Sequence, residues 1–191
     1  MGGRGNAALS CCDAVSFLQR ILGAAKGSGP SGETETVRRI AARLERLPNE
    51  RARHLAAFAY VLARVANSDL RITETETDAM LALVREHAGL SEEEAALAVE
   101  IAKSQTRLLG GTENYVVTRE FREISSRDEC VKLMHCLYAV AAADGTIASA
   151  ESAEIAKIAE ELGLLREEVL ALRAQWREKL SEFQRLPGKS S

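Results

Sequence analysis

Two stretches of this chain repeat each other at a constant spacing, and that repeat limits the possible folds more than any other feature. The segment LARVANSDLRITETETDAMLALVR, from Leu62 to Arg85, aligns with the segment from Leu137 to Leu162. The alignment pairs Leu62 with Leu137, Val65 with Val140, Ala66 with Ala141, Asp69 with Asp144, Ile72 with Ile147 and Glu76 with Glu151, always 75 residues apart. In each copy a helical pattern runs into a short loop holding an Asp. A second helical pattern leaves almost at once, with a Glu in its first turn. Two copies are too few for a solenoid, so the repeat implies an internal pseudo-twofold of two helix–loop–helix halves.

The residues available to build those halves favour helix. The chain is rich in Ala, Leu, Glu and Arg, with 46% apolar and 28% charged residues, which suits a soluble all-α bundle. Its three prolines fall at positions 30, 48 and 187, leaving Leu55 to Leu186 without that helix breaker. A length of 191 residues suffices for one domain burying roughly 70% of its extended surface. The expected organisation is a flexible N-terminus over residues 1–32, a helical domain over 33–186 and a disordered tail over 187–191. Within the first part, Phe17, Leu18, Ile21, Leu22 and Ala25 form a short basic amphipathic stripe. Lys26 to Gly32, KGSGPSG, has linker composition.

Further stripes follow at helical spacing. Val37, Ile40, Ala41 and Leu44 form one that Pro48 ends. Leu55, Phe58, Ala59, Leu62, Val65 and Ala66 form the face of the next helix, and Met80, Leu83, Val84 and His87 that of its partner, closed by Gly89. Ser91 and Glu94 have the spacing of a capping box before Ala95, Ala98, Ile101 and Ala102. Gly110-Gly111 marks the midpoint, followed by Val116, Val117, Phe121 and Ile124. Ser126 is placed to cap a helix burying Cys130, Met134, Leu137, Val140 and Ala141. Ile155, Ile158, Ala159 and Leu162 continue the core up to Gly163. Val169, Leu172, Trp176, Leu180 and Phe183 predict one last helix from about Arg166 to Leu186.

Several function classes find no residues to rest on. No Gly-rich phosphate loop, nucleophile elbow or dinucleotide fingerprint occurs, so no enzyme is expected. The net charge of −3 points to no partner class. The six Arg against two Glu between Arg38 and Arg53 lack the aromatic or Gly pattern of a nucleic-acid site, so no nucleic acid is expected. No apolar run reaches the 18 residues that would span a bilayer, and the N-terminus lacks a secretory apolar core. Asn6 stands where a myristoylation motif needs Ser or Thr. Cys11-Cys12 and the Cys130/Cys136 pair lack disulfide geometry, so reduced thiols and a cytoplasmic location are expected. Lipidation of Cys11-Cys12, beside a stripe over residues 14–26 that touches the inner membrane surface, is the alternative. His54, His87 and His135 share no metal-ligand spacing.

The acidic residues of the repeat carry the remaining chemistry. An Asp at a helix C-terminus faces the negative end of the helix dipole, a penalty of about 0.3–1 kcal/mol, which a hard cation would offset. Asp69, Glu76, Asp144 and Glu151, brought together by the pseudo-twofold, would offer four carboxylates to Ca²⁺ or Mg²⁺. Local structural roles compete with that reading. A loop Asp accepts backbone N–H bonds, and Thr73 with Glu76 makes a capping box. The second copy keeps Glu151 although Ala148 replaces the capping Thr. Asp144-Gly145-x-Ile147-x-x-x-Glu151 mimics the latter half of an EF-hand loop, but Val140 and Ala142 occupy its first two ligand positions, so it is not one.

Val140-Ala-Ala-Ala-Asp-Gly-Thr-Ile147 followed by Glu151, within residues Leu55 to Arg173, resembles the TerB-like proteins of bacterial tellurite resistance. That family is related to the N-terminal, membrane-proximal domain of the DjlA co-chaperones. The first copy departs from the pattern, with Leu70 in place of Gly145 and Asn67-Ser68 in place of small apolar residues. The resemblance implies a non-enzymatic stress-response domain with an acidic divalent-cation cluster, carried here by Asp69, Glu76, Asp144 and Glu151. The alternative is a metal-free module that binds a protein partner at the inner membrane surface.

Overall fold

The stretch after Pro48 has six alanines and neither Gly nor Pro between Asn49 and Ala66, so it forms an uninterrupted helix whose small residues let neighbours approach on several sides. The computed structural model describes residues 31–66, 74–105 and 112–184; the side chains of residues 31–34, 36–37, 74–76, 105 and 112–113 lie outside this description. Its helices are α1 (Ser31–Leu44), α2 (Asn49–Ala66), α3 (Glu74–Ala88), α4 (Glu92–Gln105), α5 (Thr112–Ile124), α6 (Arg127–Ala141), α7 (Ser149–Glu161) and α8 (Arg166–Gln175). A single 3₁₀ turn (Arg177–Lys179) and the short α9 (Ser181–Gln184) end the described chain. The all-α class holds: among the described residues the one extended pairing is an isolated parallel bridge between Ile147 and Leu180.

Helix α2 is the centre. Every residue from His54 to Val65 is buried, which a helix achieves only when neighbours surround it. Helices α4, α5, α6 and α7 supply that surround, α3 packs between α4 and α6, and α1 lies on α4. The expected one-sided stripe on α2 was therefore too narrow. Alanines 56, 57, 59 and 63 carry little hydrophobic signal, yet each is buried as fully as Leu55 and Leu62.

The repeat survives as structure. Helices α2 and α6 end at Ala66 and Ala141, and α3 and α7 begin at Glu74 and Ser149, each 75 residues apart. Equivalent positions are buried alike: Leu55 with Cys130, Phe58 with Leu133, Leu62 with Leu137 and Met80 with Ile155. Local signals hold too. The Ser91 hydroxyl accepts from the Glu94 N–H at 3.2 Å while the Glu94 carboxylate accepts from the Ser91 N–H at 2.9 Å, and Ser126 and Glu129 form the same capping box on α6. Gly89 and Gly163 lie at positive φ after α3 and α7.

Charge is resolved inside and outside the bundle. Arg64, on the central helix, has a side chain only 1% exposed. Its guanidinium donates to Glu154 at 2.6 and 2.8 Å, to Glu161 at 2.6 Å and to the Thr118 hydroxyl at 2.5 Å. Tyr60 joins the same region by donating to the Asn114 side chain at 3.0 Å. The basic run in α1 and α2 is largely paired across helices. Arg39 and Arg43 bind Glu100, Arg51 binds Glu94 in a fork at 2.5 and 2.8 Å, and Arg53 binds Glu120.

One expectation needs correction. The last helix is not continuous to Leu186: α8 stops at Gln175, and Leu180 takes an extended conformation with φ −70° and ψ 121°. The break lets Leu180 fall into the core at 1% exposure, while the backbone on either side of it pairs with Ile147. The stripe from Leu172 to Leu180 was right in burial and wrong in regularity. Val116 is another exception, 54% exposed beside buried Val117 and Phe121. Residues 14–26, Cys11, Cys12, Gly110-Gly111 and the 187–191 tail lie outside the described residues. No helix among those described is long and apolar enough to cross a membrane.

Replacing Arg64 leaves Glu154 and Glu161 without their shared counter-charge, and removing one partner of a buried pair costs about 3–5 kcal/mol. Denaturant unfolding of Arg64→Met should show a loss of that size, and Arg64→Met with Glu161→Met should lose less than Arg64→Met alone. The Arg51 fork, opposed by burial and aided by the Ser91 bonds, holds the Glu94 carboxyl down from 4.5 to about 2. Because the folded value lies below the unfolded one, this stabilisation is complete above pH 4.5 and is lost as pH falls towards about 2. Thermal melts across that window should show a flatter acid limb for Glu94→Gln, together with a lower melting temperature at neutral pH.

Candidate functional site: the acidic corner between α6 and α7

The corner is built by the way α6 stops. The N–H groups of Ala142, Ala143 and Gly145 fold back onto Tyr138, Val140 and Ala142 carbonyls at 2.9, 3.2 and 2.9 Å, closing the helix in a tightening turn. Gly145 then reverses the chain at φ +100°, a region that L side chains rarely adopt. A Cβ built there would meet nothing within 4 Å, so backbone conformation alone, not crowding, calls for glycine. The fully buried Ile147 anchors the far side of the turn, and α7 begins at Ser149.

Asp144 lies exposed three residues past the end of α6. Its Oδ1 accepts from the Thr146 N–H at 2.9 Å, an Asx-type bond that holds the turn. Among the described residues no basic side chain pairs with it. Glu151, half-buried in the first turn of α7, accepts from the Ala148 N–H at 2.8 Å. This is half of a capping box: the carboxylate half persists although Ala148 has no side chain to complete the other. Both acids therefore serve the loop, and the exposed Asp144 carboxylate, accepting one N–H bond, keeps capacity for others.

The first corner is only partly visible. Asp69 lies outside the described residues, and Glu76 sits in the first turn of α3 with its side chain outside them. The structure places Asp144 on the α6–α7 turn and Glu151 in the first turn of α7, and the meeting of the two corners lies beyond what is described. Among the described residues no group of three or more His, Cys, Asp or Glu is placed to hold a metal. The oxygen donors of the α6–α7 corner suit a hard cation and not a soft one, and two carboxylates are an incomplete shell without contributions from elsewhere.

The other ligand-type residues have structural settings. His54 contacts the Ser125 hydroxyl at 3.1 Å and the Phe121 ring at 4.9 Å between centroids, and its burial lowers its pKa. Cys130 and Cys136 are free, buried thiols. Burial pushes the Cys136 thiol up to about 12, which keeps it protonated and unreactive.

The residues that sequence reasoning missed come from the chain end. The Ile147 N–H donates to the Lys179 carbonyl at 2.7 Å, and the Ser181 N–H donates to the Ile147 carbonyl at 3.0 Å. Gln184 accepts from the Thr146 hydroxyl at 2.8 Å and donates to the Gly145 carbonyl at 3.3 Å. Upstream, Trp176 stacks on Tyr138 with centroids 6.2 Å apart and planes 9° from parallel. Helical spacing from Val169 to Phe183 concealed this strap, since nothing in those residues announces a break.

Comparison with known proteins gives one match. The family model for tellurite resistance protein TerB matches residues 54–174, a stretch holding both corners and ending within α8. No curated protein matches the chain, and no solved structure does. With more than half of its length matched, including the repeat and the loop that carries Asp144, the chain belongs to the TerB tellurite-resistance family.

Proposed function

We propose that this chain serves, without catalysis, as a stress-response domain of the tellurite-resistance family that binds a divalent cation, Ca²⁺ or Mg²⁺. Asp144 and Glu151 supply one half of the ligand set and Asp69 and Glu76 the other. The observation that carries this reading is Asp144, an exposed carboxylate past the C-terminal end of α6 with no basic side chain beside it among the described residues. An anion at that end of a helix is disfavoured, and a hard cation relieves the penalty. The loop's own bonds support the reading by fixing both carboxylates before any ligand arrives, which reduces the ordering cost of binding.

The test is a thermal melt with Ca²⁺ and, separately, Mg²⁺. A cation at a hundredfold excess over its dissociation constant stabilises the folded state by about 2.7 kcal/mol. The wild type should melt at a higher temperature in its presence, and Asp69→Ala/Asp144→Ala should not respond. Equal melting with and without either cation sinks this reading. It would leave the domain as a metal-free module for a protein partner, the two acids acting only as loop and helix-cap acceptors.

A further inference from the structure

The repeat relates α2 to α6 and α3 to α7, but it does not explain the strap that follows α8. Residues 176–184 lie beyond the family match, which ends at residue 174, and they make a set of directed contacts on a single target. A parallel bridge of two backbone bonds joins Lys179 and Ser181 to Ile147. Gln184 grips the loop from both sides, through the Thr146 hydroxyl and the Gly145 carbonyl, and ties it back to the Glu178 carbonyl at 3.0 Å. The Ser149 and Ser181 hydroxyls approach within 3.4 Å. Leu180 and Ile147 are both buried beneath the bridge, so the contact is packed as well as hydrogen-bonded. Arg173 of α8 pairs with Glu182, and the Arg177 guanidinium lies 4.9 Å from the Phe183 ring centre, which fastens the strap to α8 and to itself.

The bonds that reach the corner fall on residues 145–149, between Asp144 and Glu151. We propose that residues 176–184 are a clamp added to the family domain, with Ser181 and Gln184 as positioning residues that hold the Asp144–Glu151 loop in its cation-binding conformation. This rests on the cation reading above for its ligand, while the clamp itself is a property of the backbone contacts. Docking of the strap and binding at the corner are then linked: each favours the other by the same factor.

The structure also provides clean probes. Leu180 has φ −70° and ψ 121°, the extended range that a residue before proline prefers. Ser181 opens α9, a first-turn position where proline fits. Ser181→Pro therefore suits the strap's own backbone while it deletes the N–H that reaches the Ile147 carbonyl and sets the ring against that carbonyl, which opens the bridge. Ser181→Ala removes only the hydroxyl, and Gln184→Ala removes the side-chain grip with the backbone intact. The single tryptophan, Trp176, reports by fluorescence whether the strap leaves its stack on Tyr138.

Amide exchange of Ile147 and calcium and magnesium calorimetry should be measured on the full chain of each variant, with α2 amides as the check on folding. Ser181→Pro and Gln184→Ala should each speed Ile147 exchange by about tenfold, the effect of one ordinary hydrogen bond. They should also weaken cation binding by about fivefold or more, with α2 protection unchanged and a smaller effect from Ser181→Ala, which loses only the hydroxyl contact with Ser149. Unaltered Ile147 exchange in both variants overturns the clamp, as does a Ser181→Ala effect equal to that of Ser181→Pro. Faster exchange with unchanged cation affinity overturns the positioning role and leaves the cation reading standing. A wild type that gives no binding heat with either cation defeats the cation reading and, with it, the positioning role, and the exchange measurements then decide the clamp alone.

Discussion

A helix enclosed on all sides by others has no solvent face on which to leave a charge, and Arg64 sits on such a helix. Its guanidinium needs counter-charge inside the bundle, and α5 and α7 deliver it through Thr118, Glu154 and Glu161. Apolar packing is non-directional and would accept several sliding arrangements of alanine-rich helices. Forked bonds from one guanidinium to two carboxylates accept few. The cluster joins the first half of the repeat to the second, so the relative placement of the halves is tied to hydrogen-bond geometry.

The corner between α6 and α7 is held by contacts of its own. Its two acids are held from within the loop, Asp144 by the Thr146 amide and Glu151 by the Ala148 amide. It is also held from outside, by a strap that reaches it only because α8 breaks after Gln175. The break brings Leu180 into the core and aligns the Lys179 carbonyl and the Ser181 amide with Ile147. A continuous helix would have satisfied those two groups internally and left the Ile147 backbone groups without these partners, with Ile147 itself fully buried.

The fold was largely legible because its signals are local or periodic. The 75-residue repeat, the Ser91 and Ser126 capping boxes and the Gly89 and Gly163 terminators each depend on a few neighbouring residues, and all appear in the structure. What escaped was set by distant partners. Alanines on α2 carry too little hydropathy to mark a second or third buried face. Arg64 within LAAFAYVLARVA was a visible anomaly, a charge inside an apolar helix, but its partners lie 54 to 97 residues away and have no marker of their own. The strap was hidden by a spacing that fits a helix equally well. Of the proposed ligand set, Asp144 lies on the α6–α7 turn and Glu151 in the first turn of α7, each bonded to a nearby backbone amide. Their local bonds, to an amide two residues on and to the helix-cap amide, are those that Asp and Glu make in many turns, so residue type and spacing could not separate structural from ligating roles.

The alanines at 52, 56, 57, 59 and 63 give α2 an inverted pattern of mutational sensitivity. Truncating scans, which replace each side chain by a methyl group, pass over these sites without recording anything, although they set how near the surrounding helices come. Enlargement is the informative change there, because one or two added carbons have no void to enter and strain of about 1–3 kcal/mol follows. In this helix the smallest residues show their role only when they are made larger.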